Sequence, residues 1–138
     1  MLSEARPSKI GTWTEPALRV LRERYLLRDR SGEVVETPEE MCWRVAVSIA
    51  AGEGRYGRSP AAVGEVATAF YEMMVDGYFI PNSPTLMNAG KGNGLQYSAC
   101  YVLPVGDSME EIFDSVKAAA IIHKSGGGTG FAFSRLRP

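Results

Sequence analysis

Gln96-Tyr97-Ser98-Ala99-Cys100-Tyr101-Val102-Leu103 and, further on, His123-Lys124-Ser125-Gly126-Gly127-Gly128-Thr129-Gly130-Phe131 decide how this chain folds. The first piece sets a thiol at the head of an apolar run. Tyr97 to Val105 is rich in β-formers and nearly continuous in apolar character, which predicts a strand buried on both faces. Ser108 and Glu111 have the spacing of a capping box. They open a helix whose inner side would carry Ile112, Phe113, Val116, Ala119/Ala120 and Ile122/His123. The glycines at 126–128 stop that helix, and Phe131 and Phe133 alternate as in a second strand. A strand, a helix and a strand favour a parallel, right-handed crossover. Such units gather ligands at one end of their strands, so thiol and glycine turn are expected at the same end.

Upstream the texture is helical. Residues 1–12 show no periodicity and are expected to be loose. Thr14-Glu15-Pro16 starts a first helix with Leu18, Leu21 and Tyr25 on its apolar side, joined by Val20 and Leu27. Asp29-Arg30-Ser31-Gly32-Glu33 is turn chemistry, flanked by a weakly pairing Val34-Val35. Thr37-Pro38-Glu39-Glu40 is a capping box opening a second helix that ends near Gly52 and encloses Cys42 as a small buried hydrophobe. Ser59-Pro60 opens a third, with Val63, Val66, Phe70, Met73 and Met74 inward and Gly77 as its stop. Two prolines in Phe79-Ile80-Pro81-Asn82-Ser83-Pro84-Thr85 predict extended backbone there, and Asn88 to Gly94 a flexible turn. Residues 1–80 thus read as a helical layer without visible chemistry, and 81–138 as the start of an α/β unit.

The 138 residues fit one domain, or one small domain and a piece of another, and 45% apolar residues suffice for a packed core. A formal charge of −1 gives no electrostatic argument for nucleic acid or a membrane surface. With no long apolar run and no apolar leader core, the chain reads as a soluble cytoplasmic protein. Two separated cysteines and one histidine supply neither a disulfide framework nor a zinc site. The chain closes on a proline directly after a strand, which reads as a piece of a larger α/β domain.

Cys100 is the sharpest candidate. A strand cysteine is commonly a buried hydrophobe, but Ser98, the hydroxyls of Asn82-Ser83-Pro84-Thr85 and the glycine run make these surroundings polar and anion-friendly, which favours a thiolate. Lys124-Ser125-Gly126-Gly127-Gly128-Thr129-Gly130 inverts the order of a phosphate-binding P-loop, whose lysine and hydroxyl follow the glycines. A helix stop needs one glycine; four in five positions imply that a ligand or another backbone passes close by. His123 receives no role. Asp107-Ser108-Met109 is first a helix cap, whose free amides also suit an anion or a ribose hydroxyl.

At these residues the chain resembles a known family. Pro81-Asn82-Ser83-Pro84-Thr85-Leu86-Met87-Asn88-Ala89-Gly90, Ser98-Ala99-Cys100, Val105-Gly106-Asp107-Ser108-Met109 and His123 to Phe131 resemble the ribonucleotide reductase large chain. The wording of His123 to Gly130 is most similar to the adenosylcobalamin-dependent, class II enzyme. The resemblance implies a helical N-terminal region and then the first strand–helix–strand part of a ten-stranded α/β barrel, left incomplete. It implies that Cys100 is one member of a redox-active pair that supplies electrons for replacing the ribose 2′-hydroxyl. Ser83, Ala99, Cys100, Gly127 and Gly128 would hold the ribonucleotide substrate. Asp107, Ser108 and Met109, with Arg137, would hold a deoxynucleotide specificity effector. The implied cofactor is adenosylcobalamin. The implied partners are the remainder of the reductase chain, a thioredoxin-like or dithiol reductant, and a second copy in a homodimer.

The family's Asn-x-Cys-x-Glu catalytic loop, second redox cysteine and cobalamin contacts are absent from these residues. The expectation is therefore an N-terminal portion of a reductase that turns nothing over alone. Two rivals stand beside it: a stand-alone deoxynucleotide-binding or dimerisation module, and a plain helical interaction domain with an incidental glycine loop.

Overall fold

The computed structural model describes residues 6–138. The expectation of a loose N-terminus falls outside those residues for 1–5. For 6–12 it is corrected: the segment has no regular structure but is strapped to the helices. Tyr71 Oη donates to the Lys9 carbonyl at 2.6 Å and accepts from Arg6 at 3.0 Å, and Lys9 reaches Asp76 at 2.6 Å.

Four helices come first: α1 (Glu15–Arg24), α2 (Pro38–Ala50), α3 (Pro60–Val75) and α4 (Ser83–Asn88), with a 3₁₀ turn over Ala51–Tyr56. Thr14, Thr37, Ser59 and Asn82 each accept an orphan amide at a helix start, and a proline occupies the first turn of all four. At Thr37 the capping box is reciprocal, because Glu40 also accepts from the Thr37 N–H at 2.7 Å. The Val34 flank pairs with Arg28 in a single antiparallel bridge.

The core lies between α2 and α3. Met41, Cys42, Val45 and Ala46 from α2 meet Tyr71, Met74 and Val75 from α3, closed by Leu21, Leu26, Leu86 and Ala89. Trp43 stands edge-on to Tyr71, ring centroids 5.8 Å apart, and also packs against a smaller cluster of Ala50, Val63 and Ala67. Two details of the apolar stripes differ from the sequence expectation. Leu26, rather than Val20 or Leu27, closes the end of α1, and on α3 Ala67 and the large Tyr71 are buried while Met73 is exposed. On α3 it is the packing against α2 that selects which residues face inward.

The stretch around Pro84 departs further. It is a helix, not extended chain. Asn82 keeps an extended conformation (ψ 161°) and its Oδ1 accepts from Thr85 N at 3.0 Å, so Pro84 falls in the first turn, where its missing N–H is not needed. Ser83, directly before Pro84, is helical, so the preference for extended backbone that proline imposes on its predecessor gives way here to the capped first turn.

The remaining elements are β1 (Cys100–Pro104), α5 (Met109–Lys124) and β2 (Gly128–Ala132). β1 and β2 pair in parallel, as the strand–helix–strand pattern requires, with Cys100 opposite Gly128 and Leu103 opposite Phe131. β1 is shorter than expected and is not buried on both faces; Val102 is 82% exposed, since none of the described elements packs over the face that carries it. On α5, Ser115 and Ala119 face inward, whereas Phe113 and Val116 are exposed. Small side chains bring that helix close to β1, where Ser115 Oγ donates to the Pro104 carbonyl at 2.7 Å. The α5 capping box forms by half: Ser108 accepts from Glu111 N at 3.2 Å, but the Glu111 carboxylate takes the Ser108 hydroxyl rather than the backbone amide.

Among the described residues no helix is long and apolar enough to cross a membrane.

Candidate functional site

β1 carries Cys100 at its first position, and the thiol is free and exposed. Its partner across the ladder is Gly128, so the sulfur's neighbour on that face of the sheet is bare main chain. Gly128 N donates to the Ala99 carbonyl at 2.7 Å, which locks Ala99, Cys100 and Gly128 into one short ladder. Three of the expected substrate residues are therefore brought together by a single strand pairing. The other cysteine has an opposite environment. Cys42 is fully buried, and burial, helped by the Glu39 and Glu36 carboxylates, pushes its pKa up to about 12.

The glycine run divides into positions with different reasons. Gly126 adopts φ +87°, the left-handed region, and ends α5. Gly127 is buried where a Cβ would stand 2.7 Å from Gln96 Nε2 and from Ile122 Cγ2. Gly128 already belongs to β2, so the run is half turn and half strand rather than turn throughout. A Cβ on Gly130 would meet nothing within 4 Å, and one on Gly128 only the Ala99 carbonyl at 3.5 Å. Nothing inside the described chain demands glycine at these last two positions. His123, at the end of α5, shares a 2.9 Å hydrogen bond with Thr129 on β2.

Ser83 is held through different contacts. It opens α4, and its Oγ pairs with Tyr25 Oη at 2.8 Å. α4 in turn grips the approach to β1: Thr85 Oγ1 donates to the Tyr97 carbonyl and Asn88 Nδ2 to the Gln96 carbonyl, both at 2.8 Å. The C-terminal end of α4 is clamped by Arg44, which donates to the carbonyls of Leu86 and Ala89 and pairs with Glu36 at 2.7 Å. Glu36 also accepts from Leu27 N at 2.9 Å. Neither Arg44 nor Gln96 stood out in the sequence, because a buried pair and a bridging amide leave no periodic trace.

Asp107, Ser108, Met109 and Arg137 also meet. Arg137 N donates to Asp107 Oδ1 at 3.1 Å, and its guanidinium lies 3.5 Å from Asp107 Oδ2, beside the free amides at the start of α5. Met109 projects into solvent, 64% exposed. A cleft of about 250 Å³ lined by Gly106, Glu111, Asp114 and Ser115 adjoins this start of α5. The main clefts among the described residues are open to solvent, and none of them is lined by Cys100. One of about 340 Å³ is lined by Val45, Ile49, Phe70, Met73, Phe79 and Thr85; it is apolar and includes neither Cys100 nor the glycines.

Two family models match this chain: the ribonucleotide reductase all-alpha domain over residues 13–94, and the ribonucleotide reductase barrel domain over 98–138. The chain belongs to the ribonucleotide reductase family, and its architecture is a helical region followed by an incomplete α/β barrel. It is 45% identical to a vitamin B12-dependent ribonucleoside-diphosphate reductase of Mycobacterium tuberculosis, a match covering 88% of this chain and 17% of that protein. To the protein of the same name in Thermoplasma acidophilum it is 39% identical, over 88% of this chain and 23% of the relative. To the ribonucleoside-diphosphate reductase subunit alpha of Helicobacter pylori J99 it is 32% identical, over 98% and 16%. The chain thus spans less than a quarter of the length of these relatives.

Proposed function

We propose that this chain is the N-terminal portion of a ribonucleoside di- or triphosphate reductase and contributes one redox-active cysteine, Cys100, to deoxyribonucleotide synthesis. The observation that carries the reading is an exposed thiol in ladder register with a side-chain-free Gly128. A nucleotide's ribose and phosphates need close main chain and hydrogen-bond donors. Gly128 gives the close approach, with Ala99, Gly127 and the α4 residue Ser83 as further substrate contacts. In this reading residues 1–80 form the helical support and 81–138 open a ten-stranded barrel, whose remaining strands would cover the exposed faces of β1 and β2.

The chemistry balances simply. Two thiols become one disulfide and release two electrons and two protons; the ribose 2′-hydroxyl leaves as water and C2′ gains a hydrogen. Cys100 is one thiol, and the second lies outside these residues, because Cys42 is sealed in the helical core. A thioredoxin-like protein or a small dithiol then reduces the pair. The names of the Mycobacterium and Thermoplasma relatives include vitamin B12, and adenosylcobalamin would start the radical chemistry in the complete enzyme. The sole histidine, His123, is engaged with Thr129, and no group of three His, Cys, Asp or Glu side chains converges among the described residues. We assign none of these residues to the cobalamin.

The Asp107–Arg137 pair at the start of α5 supports a neighbouring deoxynucleotide effector site formed with Ser108 and Met109, where a cation and free amides would meet phosphate. The outward Phe113, Val116 and Ile121 on the same helix support a homodimer contact. The test is Cys100→Ser in the complete reductase. Multiple turnover with a dithiol reductant should fall to background, while folding and nucleotide binding persist. Sustained turnover by that variant would remove Cys100 from the reaction.

A further inference from the structure

We propose that Gln96 is a positioning residue for the Cys100–Gly128 pair: its side-chain amide bridges β1 to the turn that launches β2. The proposal rests on the reading of that pair as the ribonucleotide site. The Gln96 main chain is fixed first, by the 2.8 Å hydrogen bond from Asn88 on α4 to its carbonyl. From there its side chain works in two directions. Tyr101 Oη, on β1, donates to Gln96 Oε1, and Gln96 Nε2 donates to Ser125 Oγ at 2.6 Å. Ser125 is the C-terminal cap of α5. Its own hydroxyl proton is committed to the Ile122 carbonyl at 2.7 Å.

That commitment makes the residue type specific. Tyr101 asks position 96 for an acceptor, and Ser125, its proton already used, asks for a donor. A carboxamide offers both at once; a carboxylate offers acceptors alone, and a hydrocarbon neither. The amide also occupies the space that glycine leaves at 127, where a Cβ would stand 2.7 Å from Gln96 Nε2 and 3.0 Å from Tyr101 Cε2. Immediately after that contact, Gly128 N closes onto the Ala99 carbonyl at 2.7 Å. One side chain therefore holds the base of β1, the cap of α5 and the buried glycine in a single arrangement. The place where bare main chain arrives opposite the thiol is set by it.

The test uses the full chain with Gln96→Glu, Ser125→Ala and the double variant. Three quantities are read: amide hydrogen exchange at Gly128, exchange at core amides such as Tyr71, and alkylation of Cys100 with and without cytidine 5′-diphosphate. Either single change should speed Gly128 exchange by about five- to tenfold, as loss of one hydrogen bond implies, and leave the core amides unchanged. The double variant should exceed neither single one, since both break the same link. The diphosphate concentration that halves Cys100 alkylation should rise in step. Unchanged Gly128 exchange in both single variants, or additive effects in the double, would overturn the proposal. Should Gln96→Glu loosen the core as well, Ser125→Ala decides. Failure of the diphosphate to protect Cys100 in the unaltered chain would instead sink the substrate reading, and Gly128 exchange would still decide the role of Gln96.

Discussion

At Cys42 the thiol is wrapped by packed side chains of α2 and α3, while at Cys100 it stands in solvent at a strand's first residue. The difference is measurable. Iodoacetamide near pH 8 should modify Cys100 and leave Cys42 untouched until the chain unfolds, as peptide mass analysis would show. The raised Cys42 pKa also fixes a sign. With an ordinary value of 9.0 and a folded value of about 12, the unfolded chain gives up the proton first. Its contribution to stability is whole below pH 9 and is lost as pH rises toward 12, at a rate of at most about 1.4 kcal/mol per pH unit. Denaturant midpoints across that window should fall more steeply for the natural chain than for Cys42→Ala. Equal slopes would show that the thiol is not shielded. The burial of Cys42 was legible from its helical context. The exposure of Cys100 was not, because its strand has the composition of a buried one.

Among the elements, caps and prolines were the most readable features. Thr14, Thr37 and Ser59 each start a helix where the hydroxyl-plus-proline pattern places it. α4 follows from the same chemistry read less strictly: proline disfavours the helical conformation in the residue before it without forbidding it, and with Asn82 as the cap Ser83 opens the helix directly before Pro84. What holds α4 in place was invisible, because Arg44 and Glu36 lie on different elements and no spacing rule links them. Their side chains are 11% and 4% exposed, so removing one leaves the other charge buried. Arg44→Met should cost about 3–5 kcal/mol in chemical denaturation, against about 1 kcal/mol for the surface cap change Thr37→Ala. Comparable losses would mean that Arg44 does not anchor α4. On the inner face of α5 the periodicity is right for Ala119, which is buried, and for the half-buried Ile112 and Ile122; it fails at Phe113 and Val116, because close approach to β1 selects the small Ser115 instead.

For the whole molecule, the described core belongs to the helical region, and the strand–helix–strand unit adds little to it beyond Val105 and Ala119. A parallel pair of strands with one helix cannot enclose two faces. The large side chains along α5 and the outer edges of both strands are left uncovered. The sequence conveyed this architecture through its order of elements, and the family match carries the same order. It conveyed less about exposure, since burial in a barrel depends on strands supplied from elsewhere. The central claim concerns a single sulfur atom within that assembly. The most direct measurement is disulfide mapping of the complete reductase after one turnover with ribonucleotide and no external reductant. Cys100 should be recovered in a disulfide with a cysteine outside residues 1–138, in amounts matching the deoxyribonucleotide formed. Deoxyribonucleotide appearing while Cys100 remains a free thiol would contradict the account.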